Sequence, residues 1–412
     1  MKSLLSINNY HYYRGGAEAV FLAHNKMFES DGWTVVPFCM QHEKNIPSQW
    51  EGFFVEKIEL GSEYGLFDRS QKALQAIYSH EAKRKIEQIV DLVSPSIAHC
   101  HNIYHHISPA ILSSLRKKGV PVVLTTHDLK IACPAYRMMN QQGICERCKG
   151  GRYYNAAVHS CMHGSLALSI WVSIEAYVHG LLKSYSKYVN KFVVPSRFYV
   201  QKFVEWGWRE ADLVYIPNFI DAACIRQGRE PRSGFVYFGR LSGEKGLETL
   251  IRASAMSGES VQILGNGPDE SKLRALAAGL KAPVSFLGFV SGEALFDYLR
   301  AARAVVLPSE WYENAPISVL EAFAAGTPVI GAEIGGIPEL ITPERGRLFE
   351  AFSVSGLAEA MSEFSTIPDH ELRGMGDAAR EYVEAKHSRQ KYFERCNNLY
   401  EAILDEEQAH GA

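Results

Sequence analysis

The stretch RAVVLPSEWYENAPISVLEAFAAGTPVIGAE, residues 303–333, contains two short β-branched runs separated by an apolar, alanine-rich segment. The two runs have the length and composition of buried strands, and the segment between them has the composition of a helix. A strand, a helix and a second strand in this order are typical of a βαβ unit in a parallel sheet. The stretch therefore predicts an α/β fold.

The same stretch holds two carboxylates, Glu313 and Glu321, on either side of a proline. Eight positions along one continuous helix would place their side chains roughly 80° apart. Pro316 suits an early helical position and Asn314 suits a cap, so Glu313 is predicted in the loop and Glu321 inside the helix. Because carboxylates accept hydrogen bonds from neutral hydroxyls, the pair can hold two hydroxyl-bearing parts of one ligand.

The alternation of strands and helices continues along the whole chain and restarts after a polar stretch that contains Gly and Pro. Predicted strands lie in residues 3–7, 33–38, 96–102, 121–128, 191–196 and 212–218 before that stretch, and in 235–240, 260–267, 283–290, 303–309 and 327–333 after it. We therefore expect two parallel-sheet domains, 1–220 and 234–385, joined by a linker at 221–233 and followed by a closing helix at 386–412. Two such domains would present the carboxyl ends of their strands to a central cleft.

Bulk composition narrows the class of protein. The chain has 412 residues, 47% of them hydrophobic and 22% charged, with a formal net charge of −3. This balance is ordinary for a soluble globular protein and gives no support to nucleic-acid binding. Neither a signal-peptide core nor an apolar run of about 18 residues is present, so we expect a cytoplasmic protein.

Cations and glycines at strand-to-helix turns indicate phosphate binding. Gly15 and Gly16 precede a predicted helix, whose N-terminus favours an anion. Arg240 ends a strand and Lys245 follows just before the next helix, so the two can bind a diphosphate, although ordinary solvated side chains are the alternative.

A second strand-to-helix turn contains Gly265 and Gly267, which allow close backbone approach. Phosphate-binding cations together with hydroxyl-binding carboxylates indicate a sugar nucleotide as ligand.

The segments GRLSGEKG, LGNGP, ENAPISVLEAFAAGTPVI and GGIPEL, in this order, resemble the C-terminal domain of family four of the glycosyltransferases. RGGAE near the start, TTHD at 125–128 and IPNFID at 216–221 are similar to landmarks of that family's N-terminal domain. The resemblance covers nearly the whole chain. It implies the GT-B fold, in which two Rossmann-like domains face a central cleft, with acceptor bound by the N-terminal domain and nucleotide sugar by the C-terminal one.

The resemblance also implies roles for single residues of the donor site. Arg240 and Lys245 match the pair that holds the donor diphosphate, Glu321 matches the glutamate on the ribose hydroxyls, and Glu313 matches the one at the transferred sugar. The backbone amides of the next residues line the same pocket; these residues are Asn314, Ala315 and Pro316. Many relatives have Gly where Asn314 stands, which leaves the identity of the donor sugar open.

In the N-terminal half, His127 matches the histidine at the face of the donor sugar, and Gly15 with Gly16 matches the loop near the phosphates. The catalytic set implied in this way is His127, Glu313, Arg240 and Lys245, with no cofactor or metal needed for catalysis. The implied reaction is transfer of a hexose, with retention, from a nucleotide-diphosphate donor to a glycan or polyprenol-linked glycan of a surface polysaccharide such as lipopolysaccharide. UDP is the expected base and GDP the alternative. A sugar-nucleotide epimerase of the same fold and a non-catalytic zinc-bearing scaffold are the competing hypotheses.

Four of the eight cysteines lie in a predicted insertion at 130–163: Cys133, Cys145, Cys148 and Cys161. Clustered cysteines with one C-x-x-C suggest a structural zinc site, in which His159 or His163 could replace one thiolate. Reduced free thiols and an iron–sulfur or redox role are the alternatives.

Peripheral contact with the inner face of the plasma membrane would follow from a lipid-linked acceptor. Candidate segments are the basic runs 81–85 and 114–119 and the apolar segment 165–182. We expect the basic runs to be solvated surface and the apolar segment to be a helix buried against its own domain, with contact to lipid as the alternative.

Overall fold

The computed structural model of the chain describes residues 2–58, 66–228 and 232–411. Residues 229–231 of the predicted linker lie outside this set. The chain forms two compact units. Unit 1 comprises residues 1–195, 199–216 and 393–412, and unit 2 comprises residues 196–198 and 217–392.

Unit 1 is built on a six-stranded sheet in the order β2-β1-β3-β4-β7-β8, all of whose neighbouring strands are parallel. Its strands are β1 (Ser3–Ile7), β2 (Thr34–Phe38), β3 (Ile97–Cys100), β4 (Val122–Thr125), β7 (Lys191–Val194) and β8 (Leu213–Tyr215), and a separate hairpin is formed by β5 (Met139–Asn140) and β6 (Gly143–Ile144). β1, β3 and β4 are buried along their whole length, as expected of central strands covered on both faces. The strand order reverses direction between β1 and β3, which marks the switch point of this sheet.

The helices of this part of the chain are α1 (Gly16–Ser30), α2 (Leu66–Ile77), α3 (His80–Val93), α4 (Ala110–Lys117), α5 (Tyr154–Val158), α6 (Leu166–Leu181) and α7 (Arg197–Glu205). α1 packs against β2 and α4 packs against β4, each with buried apolar side chains, whereas α6 buries mainly polar side chains. Its buried positions include Ser169, Ser173 and Glu175, whereas Ile170 and Ile174 are exposed. The expectation that this helix is buried against its own domain is therefore wrong for most of its apolar side chains, because the inward positions, apart from Val172, carry polar side chains.

Unit 2 contains a second six-stranded parallel sheet, in the order β11-β10-β9-β12-β13-β14. Its strands are β9 (Phe235–Phe238), β10 (Val261–Leu264), β11 (Val284–Gly288), β12 (Ala304–Leu307), β13 (Val329–Ala332) and β14 (Gly346–Phe349). Its helices are α8 (Leu247–Ser257), α9 (Glu270–Leu280), α10 (Glu293–Ala301), α11 (Ile317–Ala324), α12 (Ile337–Leu340), α13 (Val354–Thr366) and α14 (Asp369–Lys386). This is the strand order of a Rossmann sheet, with its switch point between β9 and β12.

Most of the last helix, α15 (Arg389–Gly411), belongs to unit 1, from residue 393 onward. Tyr400 is buried there, its ring lies 5.2 Å from that of Phe28, and its hydroxyl is 3.1 Å from Nε2 of His24. Further along, Glu407 accepts a hydrogen bond of 2.7 Å from Arg116. The closing helix thus completes the core of unit 1.

The prediction of two Rossmann-like parallel-sheet domains is confirmed. The division between the units falls at 216/217, a few residues before the predicted linker, because residues 217–220 bind to unit 2. Asn218 donates to the backbone oxygen of Ala315, and the Ile220 amide donates to that of His387. In the part of the chain that the structure describes, no helix combines the length and apolar character needed to cross a bilayer.

Candidate functional site

The switch point of unit 2 brings together most of the residues predicted to bind a donor. The loop after β9 carries Arg240 and Lys245, and the loop after β12 carries Glu313. Because β9 and β12 are parallel neighbours, both loops leave the same carboxyl edge of the sheet. Open α/β sheets bind their ligands at such an edge.

An ion pair links the two loops. Lys245 Nζ donates a hydrogen bond of 2.7 Å to Oε1 of Glu313 and lies 5.0 Å from the centre of the Trp311 ring. The same carboxylate oxygen accepts a second hydrogen bond of 2.7 Å from Ser309. Burial alone would raise the pKa of Glu313, but Lys245 and Ser309 outweigh that effect and hold the pKa below its usual value. Glu313 is therefore an ionised acceptor in a nearly buried position.

Close backbone contacts explain the glycines of these loops. A Cβ on Gly246 would stand 1.8 Å from the backbone oxygen of Pro308, and Gly246 has a φ of +67°. A Cβ on Gly265 would stand 1.8 Å from the oxygen of Gly239, and one on Gly267 would stand 2.1 Å from that of Leu241. Only glycine lets the loops after β9, β10 and β12 pack this closely.

The residues after Glu313 are held by side chains from two other segments of unit 2. Ser196 donates a hydrogen bond of 2.8 Å to the Asn314 side chain, and Asn218 donates one of 2.8 Å to the Ala315 oxygen. The expectation that Asn314 caps the helix is therefore wrong. Pro316 is the N-cap residue and α11 begins at Ile317. Since proline has no N–H, only Asn314 and Ala315 can offer amides to a ligand here.

Two glycines, Gly335 and Gly336, complete the wall of the site. The Gly336 amide donates a hydrogen bond of 2.8 Å to the backbone oxygen of Glu313. A Cβ on Gly336 would stand 1.9 Å from the Asn314 oxygen, and one on Gly335 would stand 2.5 Å from that of Glu313. Sequence reasoning did not assign a role to this pair, nor to Ser196, Asn218 and Ser309, although the segment GGIPEL was already part of the resemblance.

Glu321 lies inside α11, as predicted, in the helix that directly follows the loop of Glu313. Burial raises its pKa to about 7, and within the described ranges it has neither a hydrogen-bond nor an ion-pair partner. Its side chain is nevertheless partly exposed, so a ligand can reach the carboxyl group. Glu321 is thus available to accept hydrogen bonds from hydroxyl groups of a ligand.

Arg240 differs from Lys245 in its surroundings. Its side chain is exposed and makes no ion pair within the described part of the chain, while its backbone oxygen accepts a hydrogen bond of 2.9 Å from the hydroxyl of Tyr237. The backbone is therefore fixed and the guanidinium is available to an anion.

In unit 1, Gly15 is the N-cap of α1, and both Gly15 and Gly16 are exposed. The nearest atom to a Cβ on Gly15 would be the Glu18 side chain at 3.5 Å, so no contact within unit 1 requires glycine at this position. The first turn of α1 also contains the buried Glu18, which places an acidic group where the predicted anion would bind.

His127 follows β4 and is part of a histidine cluster. Its Nε2 shares a hydrogen bond of 2.8 Å with Nδ1 of His101, and the two rings stack at 5.1 Å. Burial lowers the pKa of His127 to about 4, so the ring is neutral at pH 7. A neutral imidazole can donate to or accept from a sugar hydroxyl, but it cannot supply a positive charge.

The same cluster holds three histidines whose ring nitrogens lie within 4.8 Å of one another: His24, His99 and His101. The rings of His99 and His101 stack at 4.6 Å with an interplanar angle of 16°, and His99 Nε2 is 2.7 Å from the Thr125 hydroxyl. Because the lone pairs of stacked rings run nearly parallel, they do not converge on one ion. We interpret the cluster as a hydrogen-bonded core and not as a metal site.

Comparisons with known proteins agree with this geometry. The family model "Glycosyltransferase Family 4" matches residues 14–223, and the model "Glycosyl transferases group 1" matches residues 227–382. A "GDP-mannose-dependent monoacylated alpha-(1-6)-phosphatidylinositol monomannoside mannosyltransferase" of Corynebacterium glutamicum is 34% identical over 174 residues, which are 40% of this chain and 45% of that protein. An "uncharacterized 42.6 kDa protein in cps region" of Klebsiella pneumoniae is 25% identical over 80% of this chain and 84% of that protein.

Among solved structures, the sucrose-phosphate synthase of Thermosynechococcus elongatus superimposes with a TM-score of 0.73 at 18% identity, over 98% of this chain and all of that chain. This likeness shows the shared fold. The two family models together cover both halves of the sequence, and the first of them matches more than half of the chain. The chain therefore belongs to family four of the glycosyltransferases.

Proposed function

We propose that this protein is a retaining glycosyltransferase that moves a hexose from a nucleotide-diphosphate donor to a glycan or polyprenol-linked glycan acceptor. The observation that carries the proposal is the ion pair of Lys245 and Glu313 at the switch point of unit 2. The helix that follows this loop carries Glu321, a half-buried carboxyl group with a raised pKa. A scaffold protein has no physical need for these groups at a ligand-binding edge.

Each donor group has a residue of suitable chemistry. Lys245 and Arg240 would bind the diphosphate, Glu321 would accept hydrogen bonds from the ribose hydroxyls, and Glu313 would accept them from the sugar. The amides of Asn314 and Ala315 would donate to the sugar or the phosphate. The ammonium group of Lys245 would then donate hydrogen bonds to both Glu313 and the diphosphate, which holds the two acceptors in position.

In the proposed step, the bond between the anomeric carbon and the phosphate oxygen breaks while the acceptor hydroxyl forms a bond on the same face of the sugar. The acceptor proton passes to the leaving phosphate oxygen, and the two cations stabilise the negative charge that develops there. This route places no acid or base of the protein on the proton, in agreement with the pKa of His127, about 4, which makes its neutral ring a weak base. We propose that His127 orients a sugar hydroxyl.

A thermal-shift panel tests the donor site. Wild type and Lys245→Met are heated with UDP, GDP, ADP or dTDP, each near 100 times its dissociation constant, which should add about 2.7 kcal/mol to the stability of a binding protein. We expect one nucleotide to stabilise the wild type and not the variant. UDP is the proposed base; stabilisation by GDP would instead agree with the donor named for the C. glutamicum relative. No stabilisation by any of the four would contradict the proposal.

The epimerase hypothesis makes a separate prediction. An epimerase would convert the donor sugar without an acceptor, whereas the proposed transferase releases nucleoside diphosphate in proportion to glycosylated acceptor. Proton NMR of the product anomeric signal then reports retention directly. An inverted signal would remove the retaining step from the proposal while leaving the donor site intact.

A polyprenol-linked acceptor requires access to a membrane, and we propose that α6 supplies it. Ile170, Ile174 and Leu181 form a stripe along the helix and are 43%, 50% and 84% exposed. Between residues 147 and 196 the chain has six basic residues and a single acidic one, Glu175, which is buried. An apolar stripe in a segment of positive net charge suits a bilayer surface that contains anionic lipid.

The two basic runs considered earlier do not support the membrane proposal. Lys85 pairs with Glu81 at 2.9 Å, and Lys118 pairs with Asp91 at 2.6 Å. Their charges are partly neutralised within unit 1, as expected of ordinary surface.

Co-sedimentation tests the role of α6. We expect the wild type to bind phosphatidylglycerol vesicles at low salt and phosphatidylcholine vesicles poorly, and Ile174→Ser with Leu181→Ser to abolish binding. Leu280→Ser, which changes a leucine 40% exposed in unit 2, serves as the control. If the wild type instead forms a dimer that the α6 variant disrupts, a second copy of the chain covers the stripe and the membrane proposal is wrong.

A further inference from the structure

The four cysteines at positions 133–161 occupy a segment that follows His127 and carries the hairpin β5–β6 and the short helix α5. Cys133 and Cys148 are buried, Cys145 and Cys161 are partly buried, and all four are free thiols. Cys145 directly follows β6, and its amide donates a hydrogen bond of 2.8 Å to the Met138 oxygen. The hairpin thus holds the C-x-x-C pair against the strand that follows Cys133.

The four thiol groups are neighbours in space. The side chains of Cys145 and Cys161 form a hydrogen bond with each other, and Cys133 is close enough for a negative charge on it to raise the pKa of Cys161. Cys133, Cys145 and Cys161 are likewise close enough to Cys148 for negative charges on them to raise its pKa. Residues separated by up to 28 positions therefore form one cluster.

Backbone amides surround two of the four sulfurs. The amides of Ala135, Arg137 and Met138 point at the sulfur of Cys133, and the amide of Ala156 points at that of Cys148. Burial nevertheless raises the pKa of both thiols, so these amides only partly offset the cost of a negative charge on the buried sulfurs. After the second cysteine of the C-x-x-C pair, Gly150 and Gly151 turn the chain with φ values of 73° and 76°.

The composition of the segment suits a dianionic centre. Residues 131–163 contain four basic side chains and one acidic one. Two cations lie close to the thiols, since the charge of Lys130 acts on Cys133 and that of Arg147 acts on Cys161. A site of four thiolates and one divalent cation has a net charge of −2, which these cations would offset.

His159 is poorly placed to serve as a ligand. Both of its ring nitrogens lie 3.3–3.4 Å from the Arg147 guanidinium. A metal ion bound directly to this ring would therefore lie next to a positive charge. The segment also has few buried apolar side chains with which to hold itself together; besides Cys133 and Cys148 they are Ile131, Ala132, Ala135, Met138 and Ala156. A loop of this kind gains stability from a metal ion that links its ends.

We propose that Cys133, Cys145, Cys148 and Cys161 bind one structural zinc ion. Binding converts four thiols and Zn²⁺ into a tetrathiolate complex with release of four protons. The sulfurs are more widely spaced here than in such a complex, since the one group of three ligand atoms within 4.8 Å of one another among the described residues is that of the histidines. The loaded site would draw them to the Zn–S distance of about 2.3 Å.

Metal analysis of the full chain tests the proposal directly. Protein purified without chelator should contain about one zinc per chain by mass spectrometry of the elements, and Co²⁺ in its place should give the intense absorption of a tetrahedral thiolate complex. Cys145→Ser should lower the zinc content by more than about tenfold. Cys161→His should retain the metal, because histidine can replace a thiolate. Cys224→Ser, an exposed cysteine of unit 2, is the matched control and should leave the zinc content unchanged.

Other outcomes would overturn the proposal without depending on how well a variant folds. A wild type that binds neither Zn²⁺ nor Co²⁺ and whose four thiols react freely with a thiol reagent has only reduced cysteines. A protein mass lower by two or four hydrogens, restored by a reductant, would indicate one or two disulfides. Iron in the purified protein with absorption in the visible range would indicate an iron–sulfur cluster. The zinc content is independent of the donor test, so failure of one leaves the other standing.

Discussion

The raised pKa of Glu321 leads to a pH dependence of donor binding that can be calculated. With a pKa of about 7, the ionised fraction of this carboxyl group rises from about one tenth at pH 6 to about nine tenths at pH 8. Hydrogen bonds from hydroxyls to an ionised carboxylate are roughly twice as strong as those to neutral acceptors. If the ribose hydroxyls bind the ionised form, affinity should therefore increase about ninefold over this range, or about 1.3 kcal/mol.

Calorimetry of nucleotide-sugar binding without acceptor measures this change. A nucleotide sugar is preferable to the free diphosphate because its bridging phosphates do not titrate near pH 7. Linkage requires that binding also releases about half a proton at pH 7, which is visible when buffers with different ionisation heats are compared. The two readouts must agree in sign, since a ligand that selects the ionised group both binds better at high pH and expels the proton.

Glu321→Gln is the matched control, because it keeps a carbonyl acceptor of the same length and cannot ionise. We expect its affinity to be independent of pH and close to that of the wild type at low pH. If the variant shows the same pH dependence as the wild type, another group titrates and the assignment of Glu321 to the ribose is wrong. A flat wild-type profile would refute it equally.

Three other predictions concern stability. Lys245→Met should lower the unfolding free energy of unit 2 by about 2–3 kcal/mol, somewhat less than for a fully buried pair because the Lys245 side chain is 22% exposed. Adding Glu313→Gln should restore part of the loss in a double-mutant cycle measured by proteolysis. Additive losses would contradict the ion pair. Gly265→Ala should unfold unit 2 or lower its unfolding free energy by more than about 3 kcal/mol, because the new Cβ would stand 1.8 Å from a backbone oxygen at a φ of +145°. Gly279→Ala inside α9, the control, should be neutral or stabilising by up to about 1 kcal/mol. Thermal melts that show equal effects would refute the steric argument. His127 has a pKa of about 4 in the folded state and near 6.5 in the unfolded state. It therefore contributes up to about 3 kcal/mol of stability above pH 6.5, which is lost as the pH falls towards 4. His127→Gln should make the loss of stability at acid pH less steep when unfolding is followed by circular dichroism, and an unchanged slope would count against this cause.

Much of the fold could be predicted because parallel strands buried on both faces have a simple sequence pattern. All eleven predicted strands are present, and those missed are the edge strand β14 and the two-residue strands of the hairpin. β14 (GRLF) carries a charged residue, Arg347, and pairs only with β13, so its pattern is shorter and more polar than that of a central strand. The burial of α6 was predicted wrongly because hydrophobic content does not reveal which face of a helix points inward.

The residues of the donor site could be predicted individually, but not their contacts. Lys245 and Glu313 were each assigned to a different part of the ligand, and their ion pair depends on the adjacency of β9 and β12, which sequence spacing does not encode. Asn314 was expected to cap α11, yet the hydroxyl of Ser196, more than a hundred positions away, binds its side chain. Such long-range partners are fixed by topology.

The assignment of residues 393–412 to unit 1 has a consequence for how the chain can fold during synthesis. The surface of Phe28, His24 and His99 that Tyr400 covers stays open until α15 has left the ribosome, after all of unit 2 has been made. The half of the protein that is translated first is therefore the half that is completed last. A nascent chain of this protein would expose an aromatic surface for most of its translation, which makes the first unit a natural client of chaperones.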